Sequence, residues 1–335
     1  MKKGFDSSRY LSLQKREILK RRSKFDRLYI EFGGHLCYDG HASRVLPGYD
    51  PKSKIRLLRS LGKIEIIYCV SARDIDSNKR LGDFGLNYID QTLKDLTTLK
   101  KELGVKINVA ITFYSNQKKA KFFGNSLIKK GYSVFYLPVI RNYLKGAKYA
   151  VEGYDKYEHI PISNKLVVVT GAAGGSGKMA TAMSQVYHDL QNEIDSGYAK
   201  FETFPIWNLP LEHPINIAYE AATADLGDKI MIDKYHLKKY GKKAVNYNRD
   251  IENFSILMKI AKITTGEEHP FGYYSPTDMG INMAKFGIVN DSICKEAAIN
   301  EINRRYLLYS KEYEKGRVSA NTLNRIKEVM KKVNL

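Results

Sequence analysis

Five short runs of apolar, largely β-branched or aromatic residues alternate with longer amphipathic stretches, and this alternation limits the chain to few architectures. The runs cover residues 28–32, 64–70, 105–113, 132–140 and 166–170. Helical spacing is clearest at 88–103 and 117–130, each followed by a glycine, Gly104 and Gly131, able to take the left-handed conformation that closes a helix. An earlier helix, capped by Ser7 or Ser8, is expected before the first run. Strands that alternate with helices need crossover connections. The expected fold class is therefore α/β: a three-layer, mostly parallel sheet with helices on both faces, followed by a mainly helical domain.

The texture changes after Ser196, where strong strand runs stop and helical patterns with Pro-containing connections take over. Two units are expected, an α/β domain over 1–196 and a mainly α-helical domain over 197–335. In the last helix, 322–333, Leu323, Ile326, Val329, Met330 and Val333 share one apolar face that must pack on something.

The most informative local element is the segment Val167-Val168-Val169-Thr170-Gly171-Ala172-Ala173-Gly174-Gly175-Ser176-Gly177-Lys178-Met179-Ala180-Thr181. Behind it Met179, Met183, Val186, Tyr187, Leu190 and Ile194 recur at helical spacing, so the glycines lie in a strand-turn-helix context. Glycines let main-chain amides approach an anion, and the helix N-terminus adds unpaired donors and partial positive charge. Three readings follow. In a P-loop reading Ala172 leads the pattern that ends at Gly177-Lys178, with Lys178 reaching outer phosphates. Met179 then stands where a Mg²⁺-binding Ser or Thr belongs, so that either Thr181 or Ser176 substitutes or the metal is held otherwise. Asp233 is the best Walker-B candidate, although it reads more as a turn residue. In a dinucleotide reading Thr170-Gly171-x-x-x-Gly175-x-Gly177 fits the turn of short-chain dehydrogenases, whose Tyr-x-x-x-Lys pair would have to be Tyr235 and Lys239. In the third the glycines serve packing alone. The motif follows the last of the five runs, whereas a standard P-loop follows an early strand.

Three stretches resemble a known family: Ser176 to Thr181, then Tyr198-Ala199-Lys200-Phe201-Glu202-Thr203-Phe204-Pro205-Ile206-Trp207-Asn208-Leu209-Pro210, then Ser275-Pro276-Thr277-Asp278-Met279-Gly280. They are similar to an uncharacterised family of bacterial proteins known only as a domain or protein of unknown function. The resemblance extends over nearly the whole chain. It implies a longer protein with a further C-terminal domain absent here, which would leave the last amphipathic helix without its packing partner. It also implies that the Gly-Lys-Met portion is shared and the Thr-Gly portion is not, which weakens the dehydrogenase reading.

Around the first run, Asp39, His41 and Arg44 follow Gly33-Gly34-His35 on what should be the same sheet edge as the turn. His41 or Asp39 suits proton transfer and Arg44 a phosphate clamp. Asp278 is a further proton acceptor or, preferentially, a helix cap, and Arg249 a second clamp. No His or Cys spacing suits a metal site, so none is expected.

The 335 residues carry a formal charge of +19, with 43% apolar and 27% charged residues. That excess speeds encounter with anions without naming one. No aromatic-and-basic signature or helix-turn-helix pattern points to nucleic acid. Cys37, Cys69 and Cys294 suit reduced thiols in a cytoplasm, and neither a secretory leader nor a membrane span is expected. The combined expectation is ATP or another nucleotide bound through Gly171, Gly174, Gly175, Ser176, Gly177, Lys178 and Thr181, with Mg²⁺ optional, for phosphoryl transfer to a small molecule. A non-catalytic phosphometabolite-binding or assembly module, homo-oligomeric or not, is the alternative.

Overall fold

A computed structural model describes residues 3–81, 85–143 and 145–333. In chain order the first half contains α1 (Ser7–Arg22), β1 (Arg27–Phe32), α2 (Gly40–Val45), α3 (Ser53–Ser60), β2 (Glu65–Ser71), α4 (Ala72–Asp76), α5 (Tyr88–Leu103), β3 (Ile107–Tyr114), α6 (Lys118–Lys129), β4 (Ser133–Pro138) and α7 (Ala147–Tyr154). The second half contains β5 (Leu166–Gly171), α8 (Lys178–Gln191), β6 (Ser196–Phe201), α9 (Pro214–Ala222), β7 (Ile230–Ile232), α10 (Lys234–Tyr240), β8 (Val245–Tyr247), α11 (Asn248–Thr265), α12 (Pro276–Met279), β9 (Gly280–Ile281), α13 (Asp291–Glu314) and α14 (Ala320–Lys331).

The main sheet has seven strands in the order β4-β3-β2-β5-β1-β6-β9, and every pairing in it is parallel. All five expected runs form strands. The expectation that strands end at Ser196 is corrected, because β6 starts there and pairs with β1 along its whole length, from Arg27 opposite Ser196 to Phe32 opposite Phe201. The glycine turn accordingly leaves a central strand, with β2 on one side of β5 and β1 on the other.

Side chains on each strand alternate between two cores, as a sheet covered on both faces requires. Leu28, Ile30 and Phe32 of β1 and Leu166 and Val168 of β5 join one core with α5, α6, α9 and α13. Tyr29 of β1, Val167 and Val169 of β5 and Tyr198 of β6 join the other, with α7, α8 and α11. Burying each such aliphatic side chain contributes roughly 1.5–3 kcal/mol relative to leaving it exposed. In α8, Met183 and Val186 are buried and Met179, Tyr187 and Leu190 pack beside them, so the stripe read from the sequence is the buried one.

Caps follow local chemistry. Asp6, rather than the serines after it, caps α1 by accepting from the amides of Ser8 and Arg9. Gly104 closes α5 with φ 62°, as expected, and Gly131 follows α6 with φ 82°. The expectation that the last helix lacks a packing partner is also corrected. Ile326 and Val329 of α14 are fully buried in the first core, and Arg325 and Lys332 both pair with Glu220 of α9. Among the described residues no helix is long and apolar enough to cross a membrane.

Candidate functional site

Consecutive strands β1, β2, β3 and β4 step outward along the sheet, and the chain then returns to insert β5 between β2 and β1. The crossover after β5 runs through α8 on the second core, whereas α5, which follows β2, packs on the first. Neighbouring strands whose connections leave to opposite faces open a crevice at their carboxyl ends, where open α/β sheets bind ligands.

The glycine turn sits in that crevice. A Cβ on Gly171 would lie 2.5 Å from the Cys69 carbonyl oxygen and 2.6 Å from Ser176 Oγ, so the strand end tolerates no side chain. Gly175 and Gly177 have φ of 76° and 82°, in the region that favours glycine. Gly177 is the N-cap of α8, and no side chain caps the helix. Its first-turn amides therefore keep their capacity to bind an anion. Thr112 of β3 anchors the turn by donating to the Ser176 carbonyl at 2.8 Å. Ser176 Oγ is buried against Gly171 without a hydrogen-bond partner among the described residues. The Thr181 hydroxyl donates to the Gly177 carbonyl at 3.0 Å.

Lys178 folds back over the turn. Its Nζ lies 3.4 Å from the Ala173 carbonyl and 3.9 Å from Glu31 Oε1, and the residue is 7% exposed. Glu31 in turn accepts from Tyr198 OH at 2.7 Å and stands opposite Lys200 in the β1–β6 register. Lys200 Nζ is 2.6 Å from Asp250 Oδ1 in the first turn of α11. Burial opposes the charge on Lys200, but Asp250, Glu31 and Glu202 outweigh it and raise its pKa. Glu31, Tyr198, Lys200 and Glu202 share one face of the sheet by strand alternation. Together with Lys178 and Asp250 they form a polar layer roofed by α8 and α11, above the apolar core of the same face.

The comparisons with known proteins bear on the whole chain. A family model described as "Domain of unknown function DUF1846, N-terminal" matches residues 3–334. The chain belongs to the DUF1846 family. It is 47% identical over 339 residues to a UPF0371 protein of Clostridium tetani, covering all of this chain and 67% of that protein. A UPF0371 protein of Clostridium botulinum matches with the same identity and coverage, and one of Clostridioides difficile is 45% identical over 339 residues. The chain thus spans about two thirds of the length of these relatives.

In this DUF1846 chain the residues expected to act at the turn fall into separate groups. Gly171, Gly174, Gly175, Ser176, Gly177, Lys178 and Thr181 are together. Asp39 lies near the same sheet edge, but one carboxyl oxygen caps α2 at the Ala42 amide (3.0 Å) and the other meets Lys54 Nζ (2.9 Å). Lys54 also donates to the carbonyls of Gly33 and His35, so this pair ties down the loop after β1. Burial resists ionisation of Asp39, yet Lys54 and the Ala42 amide prevail and lower its pKa. His41 and Arg44 turn toward α13. Glu301 there receives Arg44 at 2.7 Å, Arg304 at 2.6 Å, Arg305 at 3.0 Å and His41 Nδ1 at 3.3 Å. Burial lowers the His41 pKa against the opposing hydrogen bond to Glu301.

Arg249 forms a two-pronged pair with Asp228, at 2.6 and 2.8 Å. Asp278 accepts from the Tyr274 amide and Tyr240 OH, while Ser275 is the cap of α12. Asp233 caps α10 with one oxygen and receives the Thr277 amide and hydroxyl with the other, so it has a structural task and no place in the crevice. Tyr235 and Lys239 lie on that same α10, where Lys239 covers the Tyr274 ring. Glu31, Tyr198, Lys200, Glu202 and Asp250, by contrast, meet beside Lys178 and escaped the sequence reading as a set. The available signal was the alternation Tyr198, Lys200, Glu202, hidden because Ser196, Gly197 and Lys200 weaken the β signature of the strand that carries it.

Proposed function

We propose that this chain binds a phosphorylated small molecule, with ATP or another nucleotide the leading candidate, at the turn formed by residues 171–181. The observation that carries this reading is the coincidence of an uncapped helix N-terminus, left-handed glycines and the Lys178 ammonium at the carboxyl end of β5. Backbone amides would hold phosphate oxygens and Lys178 would neutralise their charge. Phosphoryl transfer to a second small molecule is the reaction such a site would serve, by positioning and charge stabilisation.

Two features favour anion binding that does not depend on a metal. Met179 occupies the position after the lysine, and the Thr181 hydroxyl is engaged within α8. Titration calorimetry with ATP, glucose 6-phosphate and inorganic phosphate, each with and without Mg²⁺, tests the reading. Binding of at least one of them at similar affinity in both conditions is expected. Strict Mg²⁺ dependence would instead favour a Walker-type nucleotide site, and no binding of any of the three would sink the proposal.

A further inference from the structure

Glu202 stands just past the end of β6, in the polar layer that begins at the glycine turn. It is 8% exposed, its carboxyl group makes no hydrogen bond among the described residues, and Lys200 of β6 attracts it electrostatically. A largely buried carboxyl group that makes no hydrogen bond inside the protein keeps its bonding capacity for a ligand. Its backbone N–H donates a hydrogen bond to the Ile281 carbonyl of β9 at 3.2 Å. Its side chain occupies space left by the missing side chain of Gly280, where a Cβ would lie 2.6 Å from Oε2 and 3.1 Å from Cδ. Two of the stretches that carry the family resemblance, around Glu202 and around Gly280, therefore meet at this one carboxyl group.

We propose that Glu202 is the proton-transfer residue of the crevice, donating to an oxygen at the far end of a phosphorylated ligand anchored at the glycine turn. This inference rests on the phosphate-binding reading and adds the dimensions of the ligand. The turn leaves β5 and Glu202 leaves β6, with β1 between them. Two strand spacings are about 10 Å. The ligand must carry its reacting oxygen that far from its phosphate, which suits a nucleotide or sugar phosphate and excludes phosphate itself.

In the step the carboxyl O–H bond breaks and a new O–H bond forms on the ligand oxygen. The electron pair of the broken bond stays on Glu202, whose new carboxylate faces Lys200. The reverse step takes a proton from a ligand hydroxyl.

The surroundings hold Glu202 in the acid form. Burial comes first, then the negative charge of Asp250 from α11, against the attraction of Lys200 on β6 and with a further contribution from Glu31 on β1; its pKa rises to about 8. From β8 Tyr247 also senses it, and Tyr247 is itself held well above the usual phenol range by burial. The folded state thus binds a proton here that the unfolded chain releases, so stability falls as pH rises from the ordinary carboxylate range toward 8.

Carbon-13 NMR of the full chain labelled at glutamate Cδ reads this directly, with Glu202→Gln identifying the signal. The expected ligand-free midpoint is about 8, against an ordinary value of 4.5. ATP or glucose 6-phosphate, but not inorganic phosphate, should move it, and Gly280→Ala should abolish the elevation by displacing the carboxyl group. A midpoint in the ordinary range overturns the proposal whatever binds. An elevated midpoint unmoved by ATP or glucose 6-phosphate, when calorimetry shows that compound to bind, overturns the proton transfer and spares the phosphate reading. Failure of all three ligands to bind overturns both and leaves Glu202 a buried acid only.

Discussion

Lys178→Met is expected to weaken binding of ATP and inorganic phosphate by about ten- to a hundredfold, because a hydrogen bond to a charged group contributes roughly 1.5–3 kcal/mol. Methionine keeps the length and apolar stem of a residue that is 7% exposed, so the packing under the turn survives. What it removes is the ammonium near the Ala173 carbonyl and Glu31. That removal leaves Glu31 with Tyr198 and the neighbouring Lys200, and a partly buried carboxylate that loses one of its cations destabilises the fold. The double variant Lys178→Met with Glu31→Gln separates the two effects. Calorimetry on the double variant should still show the affinity loss while urea denaturation returns close to the wild-type midpoint. Undiminished phosphate affinity in either variant would remove Lys178 from the ligand site.

Glu301→Ala should produce the largest stability change, a loss of about 3–5 kcal/mol, the range for breaking a buried ion pair from one side. Glu301 is 2% exposed and collects Arg304 and Arg305 of its own helix together with His41 and Arg44, which join α2 to α13. Burial resists its ionisation, but hydrogen bonds from Arg304, His41 and Arg44 hold its pKa far below the usual carboxylate range. A carboxyl group lowered in this way stabilises the fold fully above its unfolded pKa and loses that contribution progressively as pH falls toward and through the much lower folded one. The hub should therefore outlast most other carboxylates in an acid titration. Urea midpoints of wild type and Glu301→Ala across acidic pH check both statements. The same experiment bears on the expectation that His41 and Arg44 serve the ligand. If they belong to the hub, Arg44→Ala lowers stability and leaves phosphate affinity unchanged. Loss of affinity without loss of stability would return Arg44 to the ligand site.

The five runs were legible because strands buried on both faces of a parallel sheet are continuously apolar, and α5, α6 and α8 because their stripes are local. The glycine turn was legible for the same reason, since its residues are contiguous. β6 was not. Ser196, Gly197 and Lys200 are poor strand formers, and their strand state rests on pairing with β1, a partner far away in sequence. That miss moved the turn from the centre of the sheet to its apparent end. It also concealed the polar layer, because Lys200 and Glu202 acquire meaning only when β6 lies beside Glu31 and α11 brings Asp250 over it. His41 and Arg44 show the converse. Their residue types suited an anion site, but Glu301, distant in sequence, competes for them.

The most direct measurement is the backbone amide spectrum of the isotopically labelled chain during titration with inorganic phosphate. Amides of Gly175, Ser176, Gly177, Lys178 and Met179 should shift together with one dissociation constant, and the shifts should vanish in Lys178→Met. Shifts centred elsewhere, or none at the turn while phosphate binds, would contradict an anion cradle at the carboxyl end of β5.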